Sequence, residues 1–287
     1  MRICVVIVVL LLSPLVNAKI FTCTNHSGAK IFTDNQRDCA NADSYSTVKI
    51  KSENSSSTDF HAEIPDLLQT KESARFPGGG KQFCGPVAVS NSLAWLSGNV
   101  SEADQIALVH KLGSQNYMNT NTKDGTGTTG LIRGIVRYVE EEFGGYRTIQ
   151  YSGWRKVPKK YRVNTGAPTL AFIKSGLNRH GSVWLNVGWY DYSEPMNEYT
   201  RVGGHWVTLV GYRDGKLLIH DPASRAGRSS STEYVGFTPL TSGKLVGKKS
   251  GLPRNSYGFL NLDKGMHKPS KATNAIIDGA VVLQLNR

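Results

Sequence analysis

The 287-residue chain is short of cysteine, of acidic side chains and of long apolar runs. No stretch approaches the roughly 20 apolar residues that a membrane-crossing helix needs, so no transmembrane anchor is expected. The glycine-rich "FPGGGKQF" at 76–83 lacks Gly-Lys-Ser/Thr spacing, which excludes a nucleotide loop there. No pair of cysteines or histidines has the spacing of a metal motif, so no metal or other cofactor is expected. Only 22 acidic residues oppose 34 basic ones, for a formal net charge of +12. Such an excess favours anionic partners: cell-envelope polymers, membrane surfaces or acidic protein substrates. The sharpest basic cluster, "WRKVPKKYR" at Trp154–Arg162, has no nucleic-acid-binding fold around it. It is expected to be a solvated surface loop, with no nucleic-acid partner.

The scarcity of cysteine matters because of where the chain is expected to go. Arg2, the apolar run Ile3–Leu12, Pro14 and the small-residue pattern Val16-Asn17-Ala18 form a secretory signal peptide over residues 1–18, cut after Ala18. Ile20-Phe21-Thr22-Cys23 is not a lipoprotein cleavage pattern, so the mature chain is expected to be secreted or periplasmic. Cleavage removes one positive residue, Arg2, lowering the charge to +11, and it also removes Cys4. Cys23, Cys39 and Cys84 are left. An oxidising compartment then favours one disulfide and one spare thiol. Cys23 and Cys39 are near neighbours in a segment of distinct composition and are the natural pair. Cys84 is the spare, and its bland explanation is a small buried hydrophobe.

Three regions follow the signal. Residues 19–50 hold short strand-like runs, "KIFTC" and "AKIFTD", around a "TNHSG" turn. They are expected to form a small β meander stapled by the disulfide. The pattern Cys23, Gly28, Phe32-Thr33-Asp34, Cys39 resembles a small exported bacterial domain of unknown function that precedes unrelated partners. That resemblance implies export and modularity, not chemistry. Residues 51–75, with "SENSSSTD" near their start, read as a linker, and 76–287 as the main domain.

In the main domain, Cys84 stands directly before Gly85-Pro86 and a helical run that Gly98 ends. Unpaired N–H groups and the positive dipole end of that helix favour a thiolate over a thiol. Further helices are expected at Ser101–Leu112, with a Ser101/Asp104 cap, at Thr129–Phe143 and at Pro168–His180. β-rich runs follow at 182–190, 205–213 and 216–223, with weaker ones near 257 and 280. Asp214-Gly215 marks a hairpin between the second and third. A helical half bearing a cysteine at a helix start, followed by an antiparallel sheet, is the layout of an α+β, papain-like fold. A cysteine nucleophile needs a base and a group to orient it. His205 opens a strand after Gly203-Gly204, which should leave its ring face open to a cleft, and Asp221 ends the next strand. The hairpin should make them neighbours. His220 would project away from Asp221, His180 precedes a Gly-Ser turn, His110 lies mid-helix, and His26, His61 and His267 sit in loop or linker contexts.

"FCGPVAVSNSLAWL" together with "GGHWVTLVGYRDGKLLIHDP" resembles the papain-like peptidases related to the bacteriocin-processing, double-glycine leader peptidases. The resemblance spans about 76–287 and implies a nucleophile at Cys84, a base at His205 and an orienting acid at Asp221. It departs at Gly78, where that family carries an oxyanion-hole glutamine; Gln82 is the nearby candidate donor. The implied activity is a cysteine peptidase acting on a peptide or protein through an acyl-enzyme. Alternatives are another acyl-transfer enzyme (transglutaminase, deamidase or peptidoglycan amidase) and a non-catalytic envelope-binding protein. Replacing Cys84 or Asp221 is expected to leave the melting temperature within a few degrees, since neither change should open a large cavity.

Overall fold

The structure, a computed structural model, describes residues 58–60, 62–223, 233–248, 251–263 and 266–286, and the backbone of three strands within 20–48. The signal peptide expected at 1–18 and the disulfide expected between Cys23 and Cys39 lie outside the described residues. The chain divides into two compact units, Met1–Ser56 and Ser57–Arg287.

In the first unit, β1 (Ile20–Thr24), β2 (Lys30–Thr33) and β3 (Ser44–Val48) form an antiparallel sheet in the order β2-β1-β3. This is not the expected meander, in which the middle strand in sequence is also central. β1 and β2 make a hairpin closed at Thr24 and Lys30, and β3 then takes the other edge of β1, pairing Ile20 with Val48. The ten residues 34–43 between β2 and β3 are longer than the two-residue turns that join adjacent hairpin strands.

The second unit is α+β. β4 (Thr58–Asp59) precedes the helical half, made of α1 (Cys84–Ser97), α2 (Glu102–Gly113) and α3 (Thr128–Phe143). Next come β5 (Tyr146–Gly153), β6 (Arg162–Asn164), the short α4 (Leu170–Lys174), β7 (Gly181–Ser193), β8 (Glu198–Arg213) and β9 (Lys216–His220). The chain ends through β10 (Tyr234–Val235), β11 (Phe237–Pro239), β12 (Lys244–Val246), β13 (Pro253–Asn255), β14 (Leu260–Leu262) and β15 (Asn274–Leu285). The sheet runs β10-β9-β8-β7-β15-β14-β11 and is antiparallel along that path.

α1 ends where expected, with Gly98 left-handed at φ 77°. It is buried on almost every side from Gly85 to Ala94, which is why its polar residues need partners. Asn91 Oδ1 accepts from Gln105 Nε2 of α2 at 2.6 Å, while Trp184 Nε1 of β7 and Thr208 Oγ1 of β8 both donate to the Ala88 carbonyl, at 3.1 and 2.6 Å. These bonds seat the helix between α2 and the sheet. α2 carries the expected cap, with Ser101 Oγ accepting from the Asp104 N–H. α3 buries Leu131, Ile132, Ile135 and Val139.

Two expectations need correction. The helix expected at 168–180 is five residues long, because at Gly176 the chain passes so near the sheet that a Cβ would lie 2.4 Å from Val183. The described part of the expected linker is packed rather than solvated: β4 pairs with β8, and Ile64, Leu67 and Ala74 are buried. These apolar residues enter the core one at a time, so the segment has no periodicity to read. Gln69 there donates to the carbonyls of Gly80 and Lys81 at 3.1 and 3.0 Å, and its N–H donates to Pro222 at 2.8 Å. One residue thus ties the segment before Cys84 to the segment after Asp221.

Candidate active site

Cys84 is the first residue of α1, half-buried and not disulfide-bonded. It is reached through a 3-10 turn, Pro77–Gly80, in which Gly78 and Gly80 have φ of 64° and 73°. Gly80 cannot be replaced without movement, since a Cβ would overlap the Gln69 carbonyl oxygen at 1.6 Å. First-turn N–H groups of a helix have no intrahelical acceptor, so those of α1 point donors at the region of the thiol.

His205 and Asp221 meet as expected, with Nε2 and Oδ1 2.6 Å apart and the side chains 3% and 0% exposed. The β8–β9 hairpin turns at Asp214 and Gly215, both left-handed at φ 51° and 75°, and starts in register at Arg213 and Lys216. A bulge at Val210 then shifts the register, so that Thr208 opposes His220. Continuing that register sets Asp221 opposite Val207, on the same side of the sheet as His205. The Ala223 N–H donates to Asp221 Oδ1 at 2.9 Å, while Asp221 Oδ2 is buried without a hydrogen-bond partner.

The electrostatics of this pair are mutual. Burial pulls the His205 imidazole down, but the Asp221 charge, their hydrogen bond and contact with Cys84 outweigh it, and the ring is pushed up to about 10. Burial works against ionisation of Asp221, yet His205 and the Ala223 N–H hold its carboxyl below the ordinary value. With Nε2 committed to Asp221, Nδ1 is the ring nitrogen left to face the Cys84 side chain.

The expectation that Gly203 and Gly204 leave the His205 ring face open is not met. Trp189 stacks on the ring with centroids 5.4 Å apart, and a Cβ at Gly203 would lie 2.8 Å from the Trp189 ring. A Cβ at Gly204 would lie 2.0 Å from Arg201. The two glycines make room for covering side chains. His267, assigned from sequence to a loop context, packs edge-on at 6.2 Å from His205 and lowers the Asp221 value further. Nothing in its local sequence distinguishes it.

Cys84 and His205 open onto a pocket of about 130 Å³, continuous through shared lining residues with a cleft of about 790 Å³. Gln82 lines both, with its amide beside Gly125. Three further residues missed by the sequence reading face the pocket: Arg155, Asn186 and Arg201. Arg155 belongs to the basic cluster read as a solvated loop. The structure corrects that reading in part, because Trp154 and Arg155 are half-buried and Val157 and Tyr161 are buried. Among the described residues, Asp66, His220 and Glu233 bring ligand-type atoms within 4.8 Å of one another, a grouping that could hold a metal ion and that spacing could not reveal. His220 there bonds the Pro65 carbonyl through Nδ1 at 3.0 Å.

A profile of the Peptidase_C39 like family matches residues 61–238, more than half of the chain, and includes Cys84, His205 and Asp221. No curated protein gives a match. A crystal structure described as a "putative C39-like peptidase" from Bacillus anthracis is 10% identical, with the alignment covering 79% of this chain and 96% of that one at a TM-score of 0.38. Likeness at that level carries no argument about the site.

Proposed function

The chain belongs to the Peptidase_C39 like family, and on that premise we propose that it is an exported cysteine peptidase in which Cys84, His205 and Asp221 hydrolyse peptide bonds. The observation that supports this most directly is the buried His205–Asp221 hydrogen bond in the wall of the pocket that Cys84 also lines. Asp221 holds Nε2, which fixes the ring orientation and presents a protonated Nδ1 to the sulfur.

Cys84 Sγ attacks the carbonyl carbon of the scissile bond, and the carbonyl oxygen takes up the negative charge. The Cys84 N–H and the Gln82 side-chain amide are the donors for that oxygen. One such donor is worth roughly 2.7–4 kcal/mol of transition-state stabilisation. As the C–N bond breaks, His205 gives its Nδ1 proton to the departing amine, leaving a thioester on Cys84. Water then adds to the thioester carbonyl, passing a proton to His205, and the C–S bond breaks to release the acid and restore the thiolate–imidazolium pair. Export is inferred from the N-terminal pattern of Arg2, Ile3–Leu12 and Val16-Asn17-Ala18.

The test is to incubate the chain lacking residues 1–18 with a mixed peptide library, in parallel with its Cys84→Ala variant and after labelling with a thiol-directed active-site probe. The proposal expects cleaved peptides with the native protein alone, and blockade in proportion to labelled Cys84. Cleavage that survives Cys84→Ala, or rapid labelling with no peptide, protein or peptidoglycan peptide hydrolysed, would overturn it.

A further inference from the structure

Behind the pocket lies a group of charges that does not balance. Asp278, at a bulge in β15, is fully buried. Its Oδ1 accepts from Trp154 Nε1 at 2.8 Å and from the Tyr190 hydroxyl, and its Oδ2 pairs with Arg201 Nε at 2.7 Å. Both oxygens of that carboxylate are engaged. Arg155 stands beside it and beside Arg201, with its backbone N–H donating to the Tyr151 hydroxyl at 3.1 Å and its guanidinium 4.8 Å from the Trp154 ring centre. Among the described residues, no carboxylate lies within salt-bridge distance of Arg155. Burial and the nearby Arg201 charge hold its guanidinium below the ordinary arginine value, the direction expected of a cation short of a counterion. Two guanidinia and one carboxylate leave one positive charge in excess, partly removed from water.

That excess faces the reaction centre. Arg155 and Arg201 line the pocket that holds Cys84 and His205 and also the larger cleft, where Lys123, Arg133 and Lys248 add three more cations. Among the described lining residues the one carboxylate is Asp124, exposed on the turn at 121–125. A second observation points independently to a ligand. Asn186 is only 5% exposed and lines the same pocket, yet its Oδ1 is buried without a hydrogen-bond partner. An unsatisfied buried acceptor costs free energy until a donor arrives, and an extended peptide supplies backbone N–H groups.

We propose that the pocket beside Cys84 is an anion subsite, with Arg155 receiving a substrate carboxylate and Asn186 a substrate N–H, so that the protein acts on peptides carrying a carboxylate close to the scissile bond. The proposal rests on the peptidase reading of Cys84. Arg155 is the specificity residue, because Arg201 is already held by Asp278 while the Arg155 fork is open to a bidentate partner. The carboxylate can be an acidic side chain or a free chain end, and the two sources are separable.

Binding is measured first, on full-length mature protein carrying Cys84→Ala, so that the result does not depend on turnover. Fluorescent hexapeptide pools are compared in matched pairs: Asp/Glu against Asn/Gln, and free against amidated C-termini. The proposal expects one acidic form to bind about tenfold to a hundredfold more tightly than its neutral match, the range of a charge-assisted bidentate bond. Arg155→Gln should erase that preference, and Arg155→Lys, which keeps charge but loses the fork, should retain part of it. Lys216→Gln, which removes one positive charge at the β8–β9 turn, should leave the preference intact. Equal binding of acidic and neutral pools, or equal loss in Arg155→Gln and Lys216→Gln, overturns the subsite. Acid-selective binding without cleavage by the Cys84 protein would instead overturn the peptidase reading and leave the subsite standing.

Discussion

Replacing Asp221 by Asn in a Cys84→Ala background isolates the buried charge pair from the thiol. Burial alone pulls the His205 imidazole down, yet Asp221, helped by Cys84, carries it from 6.5 up to about 10. With the two side chains 3% and 0% exposed, solvent screens the pair little. At about 1.4 kcal/mol per decade of proton affinity, that rise caps the Asp221 contribution at about 5 kcal/mol. Breaking a buried pair by removing one partner costs roughly 3–5 kcal/mol, so the two scales agree. The folded imidazole binds its proton more tightly than the unfolded one, so this stabilisation is complete below pH 6.5 and is lost as pH rises from 6.5 to about 10. In the Asn variant, burial acts unopposed. Its ring prefers to be neutral, and its stability falls as pH drops below 6.5. The gap between the two proteins should therefore be wide at pH 6, about 3–5 kcal/mol, and largely closed by pH 10. Urea unfolding followed by tryptophan fluorescence reads this, because all five tryptophans lie in the unit from Ser57 to Arg287. At about 2–4 °C per kcal/mol the melting temperature near pH 6 should fall by roughly 10 °C, more than the few degrees expected from sequence. A gap of the same size at pH 6 and pH 10 would refute the charge argument and leave only shape and hydrogen bonding.

Three other outcomes follow. Iodoacetamide should alkylate Cys84 in the native protein faster than it alkylates a free model thiol at neutral pH, and non-reducing peptide mapping should recover Cys23 linked to Cys39; a bridge from Cys84 to either would remove Cys84 from catalysis. Gly80→Ala should cost at least the roughly 1–3 kcal/mol of a left-handed non-glycine backbone, because its Cβ cannot coexist with the Gln69 carbonyl, and should lower kcat as Cys84 shifts; an unchanged kcat would show that the turn does not position the thiol. Retention of the +11 mature chain on anionic vesicles or envelope polymers should weaken steeply as salt rises, since the Debye length falls from about 10 Å at 0.1 M to about 3 Å at 1 M; salt-indifferent retention would point to apolar recognition.

What was legible in the sequence is what local chemistry writes locally. Cys84-Gly85-Pro86 opens α1, Gly98 closes it, Ser101 caps α2, and Asp214-Gly215 turns the hairpin. What was not legible is assembled across long separations. Trp154 meets Asp278 across 124 residues, and His205 meets Trp189 and His267 through ring packing that no local pattern encodes. Arg155 was hidden for a related reason. Its neighbours Lys156, Lys159 and Lys160 are exposed, so the run averages to a solvated surface although one of its cations turns inward. β5 was overlooked because only Ile149 and Tyr151 to Gly153 of its eight residues are buried, too few to show a clean alternation.

The pairing of His205 with Asp221 shows how narrow the margin was even where the expectation held. A two-residue turn brings the strand ends together but does not decide which faces meet. Had the register set by Arg213 and Lys216 continued unbroken, Asp221 would oppose Thr208, three residues from His205 and so on the other side of the sheet. Thr208 is turned toward α1, where its hydroxyl bonds the Ala88 carbonyl, and an acid there would lie away from the imidazole. The one-residue bulge at Val210 exchanges the faces. It places His220 opposite Thr208 and leaves Asp221 to the His205 side. Inserting one residue between Ile219 and His220, with the bulge kept, would set Asp221 opposite Trp206 and should therefore separate the pair even if the sheet still forms, which makes this register as much a requirement of the site as either side chain.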